Sequence, residues 1–483
     1  MHYAGLRIGE GDDAATRRWK ARTVEDLLRL RGALRQANRL GIASRAPDPA
    51  RRRLRIATWN LREFDSERYG YRLPEALYCI AEVISAFNIV ALQEVRADLH
   101  ALKRLMRILG SDWQAIMTDS DTAQSAHGER MVFLYDTSCV RFQGTAGEIS
   151  LSDADRLFLP DSFDLTFPEG IKLELPEGAE LTPPAKIPTE KRAPGRYEID
   201  PAAVVDLPAG TKIVLPEGGQ LAFKGAPAEF SFALRNERIA EKRLDLHQGR
   251  LRTFSAPVRL RWPARQMELG AQQFARTPFV VYFQSDWMKL ALCTVHIYFG
   301  DNDDGSPAMA RRTAEIAALT RALAKKAQSE GNSDAESYFM VLGDFNIKSR
   351  AHGTMAALED NGFLVPERIR EIPEGTNVQR NMFYDQMAFW TGKPGAPGFS
   401  PHTRISVSDA GVFDVFKHVF REGVDDPGGE DEAYFRSRML DVGKAYANYR
   451  DWRTHQISDH LPMWVEIETD FADAYLQSLR GGA

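Results

Sequence analysis

The chain has 483 residues, 43% of them hydrophobic, and a formal net charge of −5, so it can bury a sizeable core and is longer than one ordinary domain. That balance excludes a disordered chain and any whole-molecule attraction for a polyanion, so nucleic-acid binding would need a local basic patch. No apolar stretch is long enough to cross a bilayer, and the opening Met-His-Tyr-Ala-Gly-Leu-Arg lacks a basic segment followed by an apolar one, which predicts a soluble cytoplasmic protein.

In chain order, residues 13–40 carry Leu27, Leu30 and Leu34 at helical spacing beside Arg17, Arg18, Lys20 and Arg22, predicting an amphipathic helix within an arm of residues 1–53. The usual fate of such a helix is to pack on its own domain. Four apolar runs then end in a polar group: Arg55-Ile-Ala-Thr-Trp59 before Asn60, Ile89-Val-Ala-Leu92 before Gln93-Glu94, Lys289-Leu-Ala-Leu-Cys-Thr-Val295 before His296, and Tyr338-Phe-Met-Val-Leu342 before Gly343-Asp344. Such runs read as buried strands whose ends align along a rim. Helices are expected over 75–87, 98–109 and 308–326. Taken singly, Asp344 after Gly343 is a turn residue and Asn60 a helix cap. A structural explanation for all of them has to be invoked independently each time.

Between two stretches of this pattern, 54–168 and 266–470, lies a segment rich in Pro, Gly and charge, residues 169–265. Within it Gly170-Ile-Lys-Leu-Glu-Leu-Pro-Glu-Gly178-Ala-Glu-Leu181 repeats as Gly210-Thr-Lys-Ile-Val-Leu-Pro-Glu-Gly218-Gly-Gln-Leu221, which predicts a small β-module of two similar units. It is either a solvated elaboration or a surface choosing substrate or a protein partner. The acidic stretch 422–432 reads as a solvated loop, and 471–483 as a tail. Cys79, Cys139 and Cys293 have no metal-ligand spacing and sit in apolar contexts, so buried free thiols are expected.

Near the C-terminus, Ile457-Ser458-Asp459-His460-Leu461-Pro462 brings an acid and a base to a further strand end. With it, eight segments in order resemble the endonuclease/exonuclease/phosphatase superfamily, within it the DNase I-like branch: Thr58–Arg62, Gln93–Arg96, Glu129–Tyr135, Phe274–Phe279, Val295-His296, Gly343–Asn346, Tyr384–Gln386 and Ser458–His460. The resemblance implies a four-layer αββα sandwich, two packed mixed sheets flanked by helices, with the β-rich insertion added. It also implies that His296 pairs with Glu129 and His460 with Asp385. A carboxylate beside an imidazole fixes its tautomer and favours its charged form, so the pairs can serve the attacking water and the leaving group or phosphate oxygen. Asp344 competes with the histidines as base, and Asn346 suits a neutral donor to the phosphate.

Glu94 is the natural oxygen ligand for Mg²⁺ or Mn²⁺, with Asn60 and Asp459 direct or through water, since Mg²⁺ takes few carboxylates and keeps several waters. No His/Cys cluster supports zinc. Arg62, Arg96 and Arg276 match positions whose arginines contact DNA in the family, and arginine suits phosphate anchoring. His127 stands where the branch carries a Tyr, and the cysteines of secreted members are missing. The expectation is a metal-dependent phosphodiesterase acting as a DNA endonuclease. The alternatives are a phosphoinositide or sphingomyelin-type phosphoesterase and, from another class, a non-catalytic interaction protein working through 169–265. The complete set of core residues argues against the last.

Overall fold

The computed structural model describes residues 1–36, 53–64, 66–96, 99–119, 129–149, 274–286, 288–304, 306–331, 337–391 and 405–469, together with short strands between 164 and 260. The expectations for His127, for the tail 471–483 and for most of the insertion lie outside these residues.

The chain opens with α1 (Ala14–Gln36), followed by β1 (Arg53–Phe64), α2 (Pro74–Ile84), β2 (Ile89–Arg96), α3 (His100–Leu109), β3 (Trp113–Met117), β4 (Glu129–Asp136) and β5 (Arg141–Glu148). The short strands are β6 (Asp164–Thr166), β7 (Lys172–Glu174), β8 (Arg196–Glu198), β9 (Val205–Leu207), β10 (Lys212–Val214), β11 (Gln220–Lys224), β12 (Arg243–Asp245), β13 (Leu251–Thr253) and β14 (Val258–Leu260). After them come β15 (Phe279–Ser285), β16 (Met288–His296), α4 (Pro307–Gly331), β17 (Ser337–Asp344), α5 (Gly353–Glu359), β18 (Phe363–Leu364), α6 (Glu367–Arg370), β19 (Asp385–Trp390), β20 (Val407–Val412), α7 (Glu430–Arg438), α8 (Tyr449–Gln456) and β21 (Met463–Glu468).

Two compact units result, one holding 1–150, 274–299 and 315–483, the other 151–273 with 300–314. In the first unit, one six-stranded sheet runs β20-β21-β1-β2-β4-β3 and another runs β18-β19-β17-β16-β15-β5. Each has a single parallel pair in its middle, β1 with β2 and β16 with β17, flanked by antiparallel neighbours. The parallel strands therefore end where their antiparallel neighbours begin, which brings the C-termini of four strands and the N-termini of several others to one rim.

The sheets face each other through apolar residues of β4 and β15: the Phe133 ring meets Phe279 and Phe283 at centroid distances of 6.1 and 5.6 Å. The expected sandwich is the observed fold. A polar tie crosses the same interface under the rim, where Gln93 Nε2 donates to Thr294 Oγ1 at 2.8 Å and to Thr58 Oγ1 at 3.1 Å. Satisfying buried amides this way fixes how the sheets slide over one another.

The leucines of α1 do face inward: Leu27, Leu30 and Leu34 are buried. Arg31 of the same helix reaches the buried Glu82 of α2 at 2.8 Å. Two expectations are corrected. Cys139 is exposed, because it lies in the turn between β4 and β5 and not inside a strand; Cys79 and Cys293 are buried. The acidic stretch 422–432 is solvated only in part: Asp425 and Glu430 are exposed, whereas Asp426 and Asp431 are buried and Arg421 holds both, at 3.5 and 3.2 Å. Asp431 also meets Arg22 and, at 3.6 Å, Arg29, both from α1. Asp431 is thus held by basic residues far away in sequence as well as by Arg421 nearby.

In the second unit, the described strands pair as β13-β10-β7-β8, β12-β11-β6 and β14-β9. The two copies of the repeat pair with one another: β10 lies antiparallel to β7 with Ile213 opposite Leu173.

Candidate active site

Each rim residue owes its place to a strand end. Asn60 and Glu94 come from the parallel pair of one sheet, His296 and Asp344 from the parallel pair of the other. Glu129 opens β4, Asp385 opens β19, and His460 precedes β21. Irregularities re-aim the first two: pairing of β1 with β2 shifts between Asn60 and Phe64, and that of β2 with β4 between Leu92 and Val95. Arg62, Glu63, Glu94 and Asn346 all have positive φ, at 33°, 51°, 60° and 53°. Such conformations in non-glycine residues are costly and concentrate where function needs a particular side-chain direction.

The core of the site is a pair of clamped imidazoles. His296 Nδ1 bonds Glu129 Oε1 at 2.5 Å, and His460 Nδ1 bonds Asp385 Oδ2 at 2.8 Å. Each acid thereby turns its imidazole so that Nε2 faces Asp344 Oδ2, at 3.6 Å from His296 and 3.7 Å from His460. Asp344 is itself held: Asn60 Nδ2 donates to its Oδ2 at 3.1 Å, and the Asn346 backbone N–H to its Oδ1 at 2.9 Å. The same Asn60 amide donates to Glu94 Oε1 at 2.9 Å, so one side chain bridges acids of both sheets. His296 Nε2 lies 3.9 Å from that Glu94 oxygen.

The electrostatics follow from these contacts. Burial and the Arg276 charge push the His296 imidazolium down, but Glu129 and Asp344 outweigh them and its pKa is raised. Burial opposes charge on His460 too, yet Asp385 and Asp344 raise it well above the ordinary histidine value. Burial would raise Asp344, and the two imidazoles, the Asn346 N–H and Asn60 overcome it and hold its carboxyl low. These contacts favour the charged form of both imidazoles and the ionised form of the carboxylate between them.

The remaining expected residues sit around this core. Glu94 is partly exposed; its Oε2 accepts the Glu63 backbone N–H at 2.7 Å, and its own N–H donates to Glu129 Oε1 at 3.0 Å. Asp459 is 45% exposed and contacts Arg62 Nε at 3.4 Å; crowding around it and the nearby Glu94 charge raise its carboxyl. Asn346 Nδ2 donates to the Ile297 carbonyl at 2.8 Å, a bond that ties it to the end of β16. Among the described residues, no group of three or more His, Cys, Asp or Glu side chains is placed to hold a metal ion.

Each of the three arginines has an acidic partner. Arg276 Nε donates to Glu129 Oε2 at 2.8 Å, Arg96 pairs with Glu63, and Arg62 pairs with Asp451 at 3.3 Å in addition to Asp459. Arg276 thus holds the acid that holds His296. Two further groups are integral to the site. Ser458 Oγ donates to the Asn60 carbonyl at 2.5 Å and accepts the His460 N–H at 3.0 Å. Thr376 Oγ1 accepts the Asp385 N–H at 3.0 Å. Ser458 stands inside a segment visible from sequence; Thr376 has no such signal, because only the chain fold brings it to Asp385.

No family model and no curated protein sequence matches the chain. Solved structures similar to it are endonuclease/exonuclease/phosphatase family proteins and their kin. TDP2 of D. rerio, humanized by 14 mutations, is 10% identical, with 86% of this chain and 99% of that one covered at a TM-score of 0.38. A mannosyl-6-phosphatase from Bacteroides thetaiotaomicron is 13% identical over 86% and 99%, at 0.39. The human Nocturnin catalytic domain, with bound sulfate, is 11% identical over 86% and 94%, at 0.35.

Proposed function

We propose that the chain is a divalent-metal-dependent phosphodiesterase and that DNA is its substrate. The observation that carries the reading is the convergence of two acid-clamped imidazoles on Asp344, with Glu94 and Asn60 alongside from the opposite sheet. A phosphodiester needs its negative charge offset, a water activated and a leaving oxygen protonated, and these groups match those needs.

Asp344, ionised and fixed through both oxygens, is the group that takes the proton from the attacking water. The resulting hydroxide attacks phosphorus as the bond to the leaving oxygen breaks. The imidazoliums present N–H donors at Nε2, one to a non-bridging phosphate oxygen and one to the departing oxygen, which leaves with that proton. Glu129 and Asp385 keep both rings charged and correctly turned; Arg276 and Ser458 position the pairs. Asn346 sets the direction of Asp344 through its backbone.

The donor set fits Mg²⁺ or Mn²⁺: Glu94 offers a partly exposed carboxylate with the Asn60 amide beside it, and Asp459 adds a half-exposed carboxylate that the Glu94 charge reaches. When bound, such an ion would offset phosphate charge and polarise the phosphorus–oxygen bond. For DNA, the support is three arginines at one rim. A guanidinium has five N–H donors, so Arg276, held by Glu129, and Arg62, held by Asp451 and Asp459, each keep donors with which to anchor phosphates.

The test is turnover on single-stranded and duplex DNA, RNA, phosphoinositides and sphingomyelin, with Mg²⁺ and with EDTA. DNA cleavage abolished by EDTA is expected. Full turnover in EDTA removes the metal, and cleavage of a lipid without DNA reassigns the substrate. Replacing Arg62, Arg96 and Arg276 by Ala should flatten the salt dependence of DNA binding by about 0.9 in slope for each phosphate that is no longer neutralised.

A further inference from the structure

Beyond the catalytic groups, an aromatic shelf leads out of the site. Phe299, three residues past His296, is 41% exposed. Its ring stands edge-on to Tyr384, centroids 6.1 Å apart and planes at 89°. The Tyr384 ring in turn lies 5.7 Å from the His460 imidazole at 33°.

Backbone bonds among the same segments fix the shelf. Ile297 N–H donates to the Asp344 carbonyl at 2.8 Å, and Phe345 N–H to the Tyr384 carbonyl at 2.9 Å. With the Asn346 bond to Ile297, three chain segments are locked at the point where the rings emerge. The Tyr384 ring stands between Phe299 and the imidazole that faces Asp344, 6.1 Å from the one and 5.7 Å from the other.

We propose that Phe299 and Tyr384 form a stacking subsite for a nucleobase next to the scissile phosphate, so that the site selects strands whose bases are unstacked over intact duplex. The proposal rests on the phosphodiesterase reading above. Its physical basis is that an exposed aromatic face gains most from a planar partner, while a base inside a duplex already has both faces covered. Lipid and sugar phosphates offer no such plane.

The test compares Phe299→Ala, Phe299→Leu and Phe299→Trp with the parent on oligothymidine, on an abasic strand of the same length and on a blunt duplex, with thermal melts confirming folding. On oligothymidine, Phe299→Ala and Phe299→Leu should raise KM by roughly 5- to 150-fold, the range for removing one base–aromatic stack, with kcat nearly unchanged. The abasic strand should be hydrolysed equally by all folded variants, Phe299→Trp should behave as the parent, and the parent should prefer single strand to duplex. Equal losses on normal and abasic strands, retention of stacking by Phe299→Leu, or a preference for duplex would each overturn the subsite while leaving the phosphodiesterase intact. A parent enzyme that hydrolyses another phosphoester but no nucleic acid would instead overturn the DNA reading beneath it.

Discussion

At the scale of single residues, the proton inventory is set by which acid touches which ring. Asp385 and Asp344 raise the His460 pKa against burial, so the imidazolium, and with it activity, persists through neutral pH and is lost only as pH rises through the elevated value. Asp385→Asn keeps a hydrogen-bond acceptor at Nδ1 and removes the charge. The alkaline limb of the kcat/KM profile should therefore move to lower pH, with the rate near pH 6 the least affected. An alkaline limb that stays in place would mean that His460 does not act as a cation. His460→Ala should lower kcat by roughly two to four orders of magnitude, the range for a positioned proton-transfer group, without loss of fold by circular dichroism. His296 was legible as the close of an apolar run and His460 as the base of a further strand end, whereas Glu129 and Asp385 as their partners were expected only from the family resemblance. Arg276 was legible as a position but not in its bonding, since its contact with Glu129 joins residues 147 apart.

At the scale of elements, one glycine and one acid show how strand ends and helices are held. Gly343 has φ +143°, and a Cβ there would sit 2.2 Å from the Val295 carbonyl oxygen of the paired strand. Gly343→Ala must push β16 and β17 apart under His296 and Asp344. It should cost more than ~2 kcal/mol in urea unfolding and lower kcat besides; a neutral substitution would mean that the strands are not packed so closely. Asp431 is the other case. It is fully buried among Arg22, Arg29 and Arg421, and Asp431→Ala would leave the three guanidiniums with only Asp26, at 3.3 and 3.1 Å from Arg22 and Arg29, and Asp426, at 3.5 Å from Arg421, to offset them. A loss of about 3 kcal/mol is expected, the scale for breaking a buried pair, with part of it recovered in Asp431→Ala/Arg22→Ala. A change below ~0.5 kcal/mol would show that the Asp431 contacts add little to the docking of α1. The helix was predictable from Leu27, Leu30 and Leu34. Its ion network was not, because a run of acids at 422–432 looks solvated until the partners contributed by distant residues are known.

At the scale of the molecule, two sheets of the same plan, each with one central parallel pair, make a single rim from strand ends of both; the apolar runs and their polar ends predicted strands ending at a rim, while the two-sheet sandwich was expected from the family resemblance. What spacing could not supply was the depth of the second unit's involvement, because its repeat specifies local pairing of β7 with β10 and nothing about the rim. The core's own pairing is informative here. Glu148 at the end of β5 lies opposite Phe279 at the start of β15, and Ile149 N–H donates to the Pro278 carbonyl at 2.9 Å. The chain thus leaves the first unit and returns to it at adjacent points, a gap that a few residues can span at small loop-closure cost. Replacing residues 151–273 by a short Gly/Ser linker should therefore give a folded protein that keeps metal-dependent cleavage of a generic phosphodiester. Some stability should be lost, since residues 300–314 group with the excised unit and include the first turns of α4. If the insertion selects the substrate, the ratio of DNA to RNA and lipid turnover will shift while kcat on the generic ester holds. An insoluble product, or one inactive on every ester, would show that the second unit completes the core.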